Sequence, residues 1–205
     1  MEKASLPKFL GNNLLFHAIT HSNIKDLIAL LEDNEADINA RNINGSTPLH
    51  FSVTSQNPTV TEILLKFKAN PNLKEYYEVG EGTALHRAVE LNNFELCKIL
   101  LDYGANPSLQ CKKGFTALHY AARNGNVEIV QLLLNYGVDI HLRDKNGWNA
   151  SYWAKLNKHL DVCKVLPPAA TITPESLNEY KEQMRGFLDI TLKLPKKKGR
   201  KKKKK

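Results

Sequence analysis

A short phrase that recurs along this chain constrains its fold more than any other feature. The phrase Gly45-Ser46-Thr47-Pro48-Leu49-His50 returns as Gly82-Thr83-Ala84-Leu85-His86 and as Gly114-Phe115-Thr116-Ala117-Leu118-His119, with a weaker copy at residues 147–151. Its leucine, or the residue in that place, lies at positions 15, 49, 85, 118 and 151, so successive copies are 34, 36, 33 and 33 residues apart. A period of this length is typical of stacked repeat units, which build an extended surface rather than a single cleft.

Each copy of the phrase begins a pattern that predicts two helices. After Thr116, the residues Leu118, Ala121 and Ala122 share one helical face, and the two alanines leave room for a close neighbour. Thr116 is placed to cap this first helix, and Gly125 can adopt the left-handed turn that leads into the apolar segment 127–134. One such pair cannot bury its own apolar surface, so several units are expected to stack.

This combination of features resembles the ankyrin-repeat family, whose unit is a β-turn followed by two antiparallel helices with a Thr-Pro-Leu-His-x-Ala core. The resemblance covers residues 11–166. It implies an all-α ankyrin-repeat solenoid of helix–turn–helix units joined by β-turn loops. Units are expected at residues 11–44, 45–80, 81–113, 114–146 and 147–166, and the degraded first and last copies are interpreted as caps. For the first unit, a separate short helical pair is the alternative.

Three further segments flank the predicted repeats. Residues 1–10 form an N-terminal segment, residues 167–192 a C-terminal helix and linker, and residues 193–205 a lysine-rich tail. The sequence Thr173-Pro174-Glu175 has the features of a helix start, and the apolar side chains after it form a stripe at helical spacing. This helix either covers the apolar flank of the last repeat or docks into a groove on a partner.

Positive charge is concentrated at the C-terminal end of the chain. Nine of the 29 basic residues lie within residues 196–205, which leaves 20 basic residues against 21 acidic ones elsewhere. A block of like charges repels itself, so this tail is predicted to be disordered and to act as an interaction arm. The nine residues are Lys196, Lys197, Lys198, Arg200, Lys201, Lys202, Lys203, Lys204 and Lys205.

Several partners for the tail stay open at this point. It offers point charges without interleaved aromatic side chains, so it can neutralise phosphates or carboxylates but cannot read a base sequence. An import receptor, nucleic acid and an acidic protein surface such as that of a microtubule all fit this chemistry, and so does a solubilising run with no partner. A membrane is disfavoured, because no lipidation motif supplies the second signal that stable anchoring needs.

The remaining composition predicts an intracellular protein, in the nucleus, the cytoplasm or both. No stretch approaches the length of a transmembrane segment, and the first residues contain no apolar run typical of a secretory signal, so a secreted protein is not expected. Cys97, Cys111 and Cys163 are widely spaced and lack the paired spacing of metal ligands. They are interpreted as reduced thiols.

The sequence also argues against catalysis. His50, His86 and His119 belong to different units, and the resemblance to ankyrin repeats implies that their imidazoles bind neighbouring backbone. The chain contains no glycine-rich phosphate loop, no nucleophile elbow and no zinc pattern. We therefore expect a protein that is not an enzyme and has no catalytic residue, no cofactor and no metal site.

The resemblance places a protein partner on the tips of the β-turns and the exposed side of the first helices. The candidate partner-binding residues are Tyr76, Tyr77, Glu90, Leu91, Lys112, Lys113, Phe115, Arg123, Asn124, Lys145 and Trp148. Phe115 and Trp148 follow the turn glycine, where they either anchor a partner or are buried against the next turn.

The third turn departs from the repeat. It carries three extra residues within positions 74–82 and presents Tyr76 and Tyr77 among glutamates, next to the basic tip formed by Lys112 and Lys113. Insertions in repeat proteins fall in loops, often on the binding face, so this one is either a specificity element or a tolerated surface insertion.

The predicted function is a monomeric, non-enzymatic adaptor that binds a protein of unknown identity, with the tail providing nuclear targeting or an electrostatic contact. The alternative is a structural component, associated with the cytoskeleton or with nucleic acid and held there by its tail.

Overall fold

The computed structural model describes residues 8–76 and 81–166, and these residues form ten helices arranged in pairs. An isolated antiparallel bridge joins Lys74 to Thr83, and no strand is present in the described part of the chain. The all-α prediction is therefore confirmed. The helices are α1 (Lys8–Thr20), α2 (Ile24–Glu32), α3 (Pro48–Thr54), α4 (Pro58–Lys66), α5 (Ala84–Glu90), α6 (Phe94–Asp102), α7 (Ala117–Asn124), α8 (Val127–Asn135), α9 (Ala150–Leu156) and α10 (Leu160–Val165).

The pairs stack in chain order. The first helices α1, α3, α5, α7 and α9 pack successively against one another, and α4, α6, α8 and α10 form a second row. The leucines of the repeated phrase lie at the centre of this stack: Leu15, Leu49, Leu85 and Leu118 are each at most 1% exposed. Because Leu15 belongs to the same apolar core and α1 packs against α3, the first helical pair is part of the stack and not separate from it.

An asparagine directly before the first helical residue caps most of the second helices. Asn57, Asn93 and Asn126 each accept a hydrogen bond from the backbone N–H three residues on, at 3.1, 3.0 and 2.9 Å, and Asn23 does the same for α2. Such caps satisfy a helix N–H that would otherwise lack a partner. In the last pair His159 takes this place, and its Nε2 donates to the Arg123 carbonyl at 3.0 Å. The final unit is therefore tied to the preceding one through a different contact.

The threonine of the phrase caps three of the first helices, α3, α5 and α7. Thr83 and Thr116 form capping boxes with His86 and His119, which satisfies backbone groups at both ends of the motif. The predicted cap at Thr116 is confirmed, and so is the left-handed turn at Gly125, whose φ is 77°.

A ladder of hydrogen bonds joins the units along the loops that follow the second helices. Asn39 accepts from the Asn70 N–H at 2.9 Å, and Asn72 accepts from the Asn106 N–H at 2.8 Å. In the next step, Ser108 accepts from the Asp139 N–H at 2.8 Å. These bonds fix the spacing between successive units. They therefore also help to set the spacing of the turns that precede the first helices.

The turns before the first helices share one hydrogen-bond pattern. In the turns at Asn42, Cys111 and Asp144, the backbone N–H bonds to the carbonyl four residues on, whereas the Glu75 N–H bonds to the Gly82 carbonyl, seven residues on. The three extra residues predicted for the third turn are thus confirmed, and they lie between Glu75 and Gly82. Residues 77–80, the predicted C-terminal helix and the basic tail lie outside the described residues.

Candidate protein-binding face

The turn tips carry several of the candidate residues and approach one another closely. The Lys145 N–H bonds to the Lys113 carbonyl at 3.2 Å, which joins the fourth tip to the fifth. A Cβ on Gly114 would lie 2.8 Å from the Lys145 nitrogen, so this approach requires glycine. Lys112, Lys113 and Lys145 are all exposed, and the structure therefore places three lysines side by side.

Tyr76 lies at the start of the third-turn insertion and is 69% exposed. The Arg41 guanidinium lies over its ring, 4.0 Å from the centroid, and also donates to the carbonyls of Gly45 and Lys74, each at 2.7 Å. Arg41 thus connects the second and third turns and makes a cation–π contact with one face of the exposed Tyr76 ring. Its position in the repeat is taken by Gln110 in the fourth turn, where the amide donates to the Gly114 carbonyl at 2.7 Å.

The glutamate at the start of the insertion is not part of an exposed acidic tip. Glu75 is buried and accepts from the Ser46 hydroxyl at 3.2 Å and from Arg87 Nη2 at 3.2 Å. Arg87 also pairs with Glu90 at 2.8 Å. Glu81, at the far end of the insertion, pairs with Lys112 at 2.9 Å. Glu75 and Glu81 are thus paired within the protein, and the expected acidic character of the third tip is corrected for these two residues; Lys113 of the fourth tip forms no ion pair with a described residue.

Phe115 and Trp148 also require correction as exposed anchors. They are 5% and 9% exposed, respectively, because each packs beneath the tip of its turn against aromatic side chains of α7 and α9. Phe115 contacts Tyr120 and Trp153 with centroids 5.2 and 5.1 Å apart, and Trp148 contacts Tyr152 at 4.2 Å. Of the two interpretations that the sequence left open, burial is the one the structure supports.

The same packing brings forward residues that the sequence interpretation missed. Tyr120 and Trp153 are half-buried, and Arg123 lies over the Tyr120 ring, 5.0 Å from its centroid. Leu156, one turn after Trp153, is 52% exposed. Tyr120 and Trp153 occupy the place directly after the phrase histidine or its replacement, where the earlier copies have Phe51 and Arg87. Variation at this position between copies was the sequence signal that could have identified Tyr120 and Trp153 as candidates.

The remaining candidates lie at the ends of the first helices. Glu90 is exposed at the end of α5, and Leu91, just beyond it, is partly buried against the core. Asn124 is exposed at the end of α7. Tyr77 and the nine basic tail residues lie outside the described residues, so the structure says nothing of them.

The phrase histidines face backbone groups and not a ligand. Nε2 of His50, His86 and His119 lies 3.2, 3.0 and 3.0 Å from the carbonyls of Gly82, Phe115 and Trp148, respectively. Burial lowers the pKa of His86 to about 4 and also lowers the pKa of His50 and His119, although the hydrogen bonds to carbonyls act in the opposite direction. The predicted backbone contacts of these imidazoles are confirmed.

The other titratable groups of the described residues differ in their burial and in their hydrogen-bond partners. No group of histidine, cysteine, aspartate or glutamate side chains is placed to hold a metal ion within the described ranges. Burial raises the pKa of Cys97 to about 12, so its thiol stays protonated. The Asp144 carboxylate is buried and accepts from the N–H groups of Asn146 and Trp148 at 2.8 and 3.0 Å and from Trp153 Nε1 at 3.0 Å. The Asp144 carboxylate therefore stabilises the turn at residues 144–148.

Comparisons with known proteins agree with the repeat architecture. The family model "Ankyrin repeats (3 copies)" matches residues 15–111 and 85–175. The fowlpox virus (strain NVSL) ankyrin repeat protein FPV233 is 42% identical over 73 residues, which make up 34% of this chain and 14% of that protein. This chain therefore spans only a small part of the length of the curated relative it matches. Among the described helices, none combines the length and the apolar character needed to cross a bilayer.

Proposed function

Since this chain belongs to the ankyrin-repeat family, whose repeats generally mediate protein–protein interaction, we propose that it is a non-enzymatic adaptor. Its partner binds the turn-and-helix face, which we define as Tyr76, Glu90, Leu91, Lys112, Lys113, Arg123, Asn124 and Lys145. The observation that carries this proposal is the exposure of Tyr76, a large aromatic side chain held outward on a turn by Arg41. Aromatic and arginine side chains in such positions are frequent energetic anchors of interfaces.

The rigidity of the face supports the proposal. Backbone contact between the fourth and fifth tips, the Arg41 bridge and the histidine contacts to the next turn fix the backbone from which the exposed side chains project. A partner then loses less free energy to ordering this surface on binding. The buried polar groups in this region are satisfied internally, so the exposed side chains are the ones left for recognition.

The basic tail, residues 196–205, supplies the second element of the proposed function. Nine positive charges in this segment provide either a nuclear targeting signal or an electrostatic contact to the same partner. Two linked contacts raise the apparent affinity through the effective concentration of the second one, even when each is weak. The adaptor is proposed to act inside the cell, in the nucleus or the cytoplasm, as a monomer.

The face is tested by comparing two triple variants of the full chain. Tyr76→Ala with Lys113→Ala and Asn124→Ala alters the turn-and-helix face, and Glu95→Ala with Glu128→Ala and Gln131→Ala alters exposed positions on α6 and α8. Proteins retained by each immobilised chain are quantified by mass spectrometry. We expect the first variant to lose specific partners and the second to retain them. The opposite result would assign binding to the second helices and overturn the proposal.

The concentration of positive charge also favours a second candidate, a structural component held by its tail on an acidic polymer. Replacing the nine basic tail residues with glutamine separates the two. A targeting signal would change the location of the protein but leave partner capture intact. A polymer-bound component would instead lose co-sedimentation with microtubules or nucleic acid, and binding of the parent chain would weaken steeply as salt is added.

A further inference from the structure

At one end of the turn-and-helix face, three of its residues lie beside further aromatic and apolar side chains. This surface comprises Lys113, Arg123 and Lys145 of the face and the neighbouring Tyr120, Trp153 and Leu156, and we call it the basic–aromatic patch. We propose that this patch binds an acidic protein segment that also carries apolar side chains. The inference rests on the proposed function, because it names the partner chemistry that this end of the same face selects.

The patch differs from the preceding unit in charge balance. In that unit Arg87 lies between two carboxylates, those of Glu75 at 3.2 Å and Glu90 at 2.8 Å, and is neutralised by them. One repeat further on, Arg123 occupies the place of Glu90 and forms no ion pair with any described residue. The Arg123 guanidinium lies over the Tyr120 and Phe115 rings, 5.0 and 5.9 Å from their centroids. Held against ring faces, it is oriented and keeps its N–H donors for a carboxylate.

The two lysines of the patch add to this positive charge. Lys113 and Lys145 lie on adjacent tips joined by a backbone hydrogen bond, and neither forms an ion pair within the described part of the chain. Lys112 beside them is different, since Glu81 neutralises it. The nearby Asp144 carboxylate does not compensate the lysines, because it is buried and accepts from two backbone N–H groups and the Trp153 indole.

Apolar surface lies next to these cations. Trp153 is half-buried, with edge-to-face contacts to Phe115 at 5.1 Å and Trp148 at 5.2 Å, and Leu156 stands exposed one turn further along α9. This surface can accept leucine or phenylalanine side chains of a bound segment. Carboxylates of the same segment would then reach Lys113, Arg123 and Lys145.

Charge and the packing of the rings distinguish three possible ligands of the patch: a basic protein segment, a nucleic acid strand and an acidic protein segment. A basic segment would meet three cations that have no carboxylate partner among the described residues, and it would be repelled. A nucleic acid strand would need open ring faces on which bases stack, but the Tyr120 ring already carries Arg123, and Trp153 is packed against two other rings. An acidic segment with apolar side chains satisfies both the cations and the exposed apolar groups.

The chain contains its own probe for this site. Its two tryptophans are Trp148 and Trp153, one beneath the patch and the other in it, whereas the basic tail has none. Tryptophan emission of the full chain therefore reports on the patch and not on the tail. We titrate the full chain with a synthetic peptide in which glutamate alternates with leucine and phenylalanine. A saturable change in emission is expected, and added salt should weaken the binding.

Matched variants locate the binding. Arg123→Gln with Lys145→Gln should weaken peptide binding about tenfold or more, because two charge-assisted contacts are lost. Lys25→Gln with Lys98→Gln removes the same charge from exposed positions on α2 and α6 and should leave binding unchanged. If the first variant unfolds, Lys113→Gln with Lys145→Gln replaces it, since both side chains are exposed on turn tips.

Several results would overturn the inference. These are an equal loss of affinity in the patch variant and the control variant, peptide binding without a change in tryptophan emission, and equally tight binding of a peptide with glutamine in place of glutamate. Tighter binding of a lysine-containing peptide or a single-stranded DNA oligonucleotide would assign the patch to another class of partner. If the acidic peptide fails but the Tyr76 triple variant still loses partners, only the charge selection fails and the proposed function stands.

Discussion

His119 donates a hydrogen bond from Nε2 to the backbone carbonyl of Trp148, 29 residues further on, at a distance of 3.0 Å. Because a carbonyl can only accept, Nε2 carries the proton, and Nδ1 is left to accept from the Thr116 N–H at 3.1 Å. One neutral imidazole thus caps its own helix and holds the turn of the next unit. His86 has the same two contacts, to Thr83 and Phe115.

Removing this contact should destabilise the stack. His119→Ala leaves a buried carbonyl and a helix N–H without their partner and creates a cavity, so the free energy of unfolding should fall by about 2–4 kcal/mol. Urea denaturation followed by circular dichroism measures this loss. His141→Ala, at an exposed position, serves as the control and should change stability by less than about 0.5 kcal/mol. Equal effects of the two substitutions would contradict the structural role of His119.

Stability should also depend on pH in a defined window. The pKa of His86 is lowered from 6.5 to about 4 in the folded protein, so below pH 6.5 the unfolded chain takes up a proton that the folded chain does not. The contribution of His86 is therefore fully present above pH 6.5 and is lost as the pH falls towards 4, by about 3 kcal/mol in all.

Carboxylates titrate in the lower part of the same window, so the measurement compares two proteins. Melting temperatures of the parent chain and the His86→Gln variant are recorded from pH 7.5 to pH 4, and the parent should show the steeper decline. Parallel curves would mean that His86 is not kept neutral by burial.

Phe115 should behave as a core residue. Phe115→Ala removes a side chain that is 5% exposed and packs on Tyr120 and Trp153, so we expect a loss of about 3–4 kcal/mol in the free energy of unfolding. Tyr76→Ala removes an aromatic side chain that is 69% exposed and should cost about 1 kcal/mol or less, through its contact with Arg41. Thermal or urea denaturation distinguishes them, and the reverse order would return Phe115 to the exposed candidates.

Alanine substitutions at two glycines with positive φ should distinguish the cost of backbone strain from the cost of a steric clash. Gly125 and Gly104 have φ of 77° and 85°, but a Cβ on Gly125 would lie 2.4 Å from Nδ1 of His159, whereas a Cβ on Gly104 would meet no atom within 4 Å. Gly104→Ala should therefore cost about 1 kcal/mol from backbone strain alone. Gly125→Ala should cost more, because His159 must also leave its contact with the Arg123 carbonyl. Equal costs would show that His159 moves without penalty.

The two ion pairs of the third turn should differ in strength. Arg87→Gln leaves Glu75, whose side chain is 11% exposed, without its cation, and we expect a loss of about 1–2 kcal/mol after allowing for the partial exposure of Arg87. Lys112→Gln breaks the more exposed pair with Glu81 and should cost less than about 0.5 kcal/mol. Both are measured by urea denaturation in low salt, and a larger loss for Lys112→Gln would contradict the burial of Glu75.

The architecture could be predicted from the sequence because each unit of a stacked repeat needs the same residue types at the same positions. Leu118, Ala121 and His119 recur in successive copies since each unit needs the same small and apolar residues against its neighbour. The insertion in the third turn was predictable for the same reason: a fixed period makes three extra residues visible.

The binding face was harder to predict. Phe115 and Trp148 follow a turn glycine in sequence, but their exposure depends on whether the rings of α7 and α9 fold back over them, and for Phe115 one of those rings, Trp153, belongs to the next unit. The burial of Glu75 is not predictable from the sequence, because its partners, Ser46 and Arg87, are 29 and 12 residues away. Sequence spacing carries no information on such contacts.

The sequence by itself determined the all-α repeat, its period, the helix cap at Thr116 and the concentration of charge at the C-terminal end. These properties follow from local patterns, since helix periodicity, capping and like-charge repulsion act over a few residues. Only the tertiary structure decided which turn residues face outward and which charges lack a partner. Arg87 forms ion pairs with the carboxylates of Glu75 and Glu90, whereas Arg123 forms none with the residues that the structure describes.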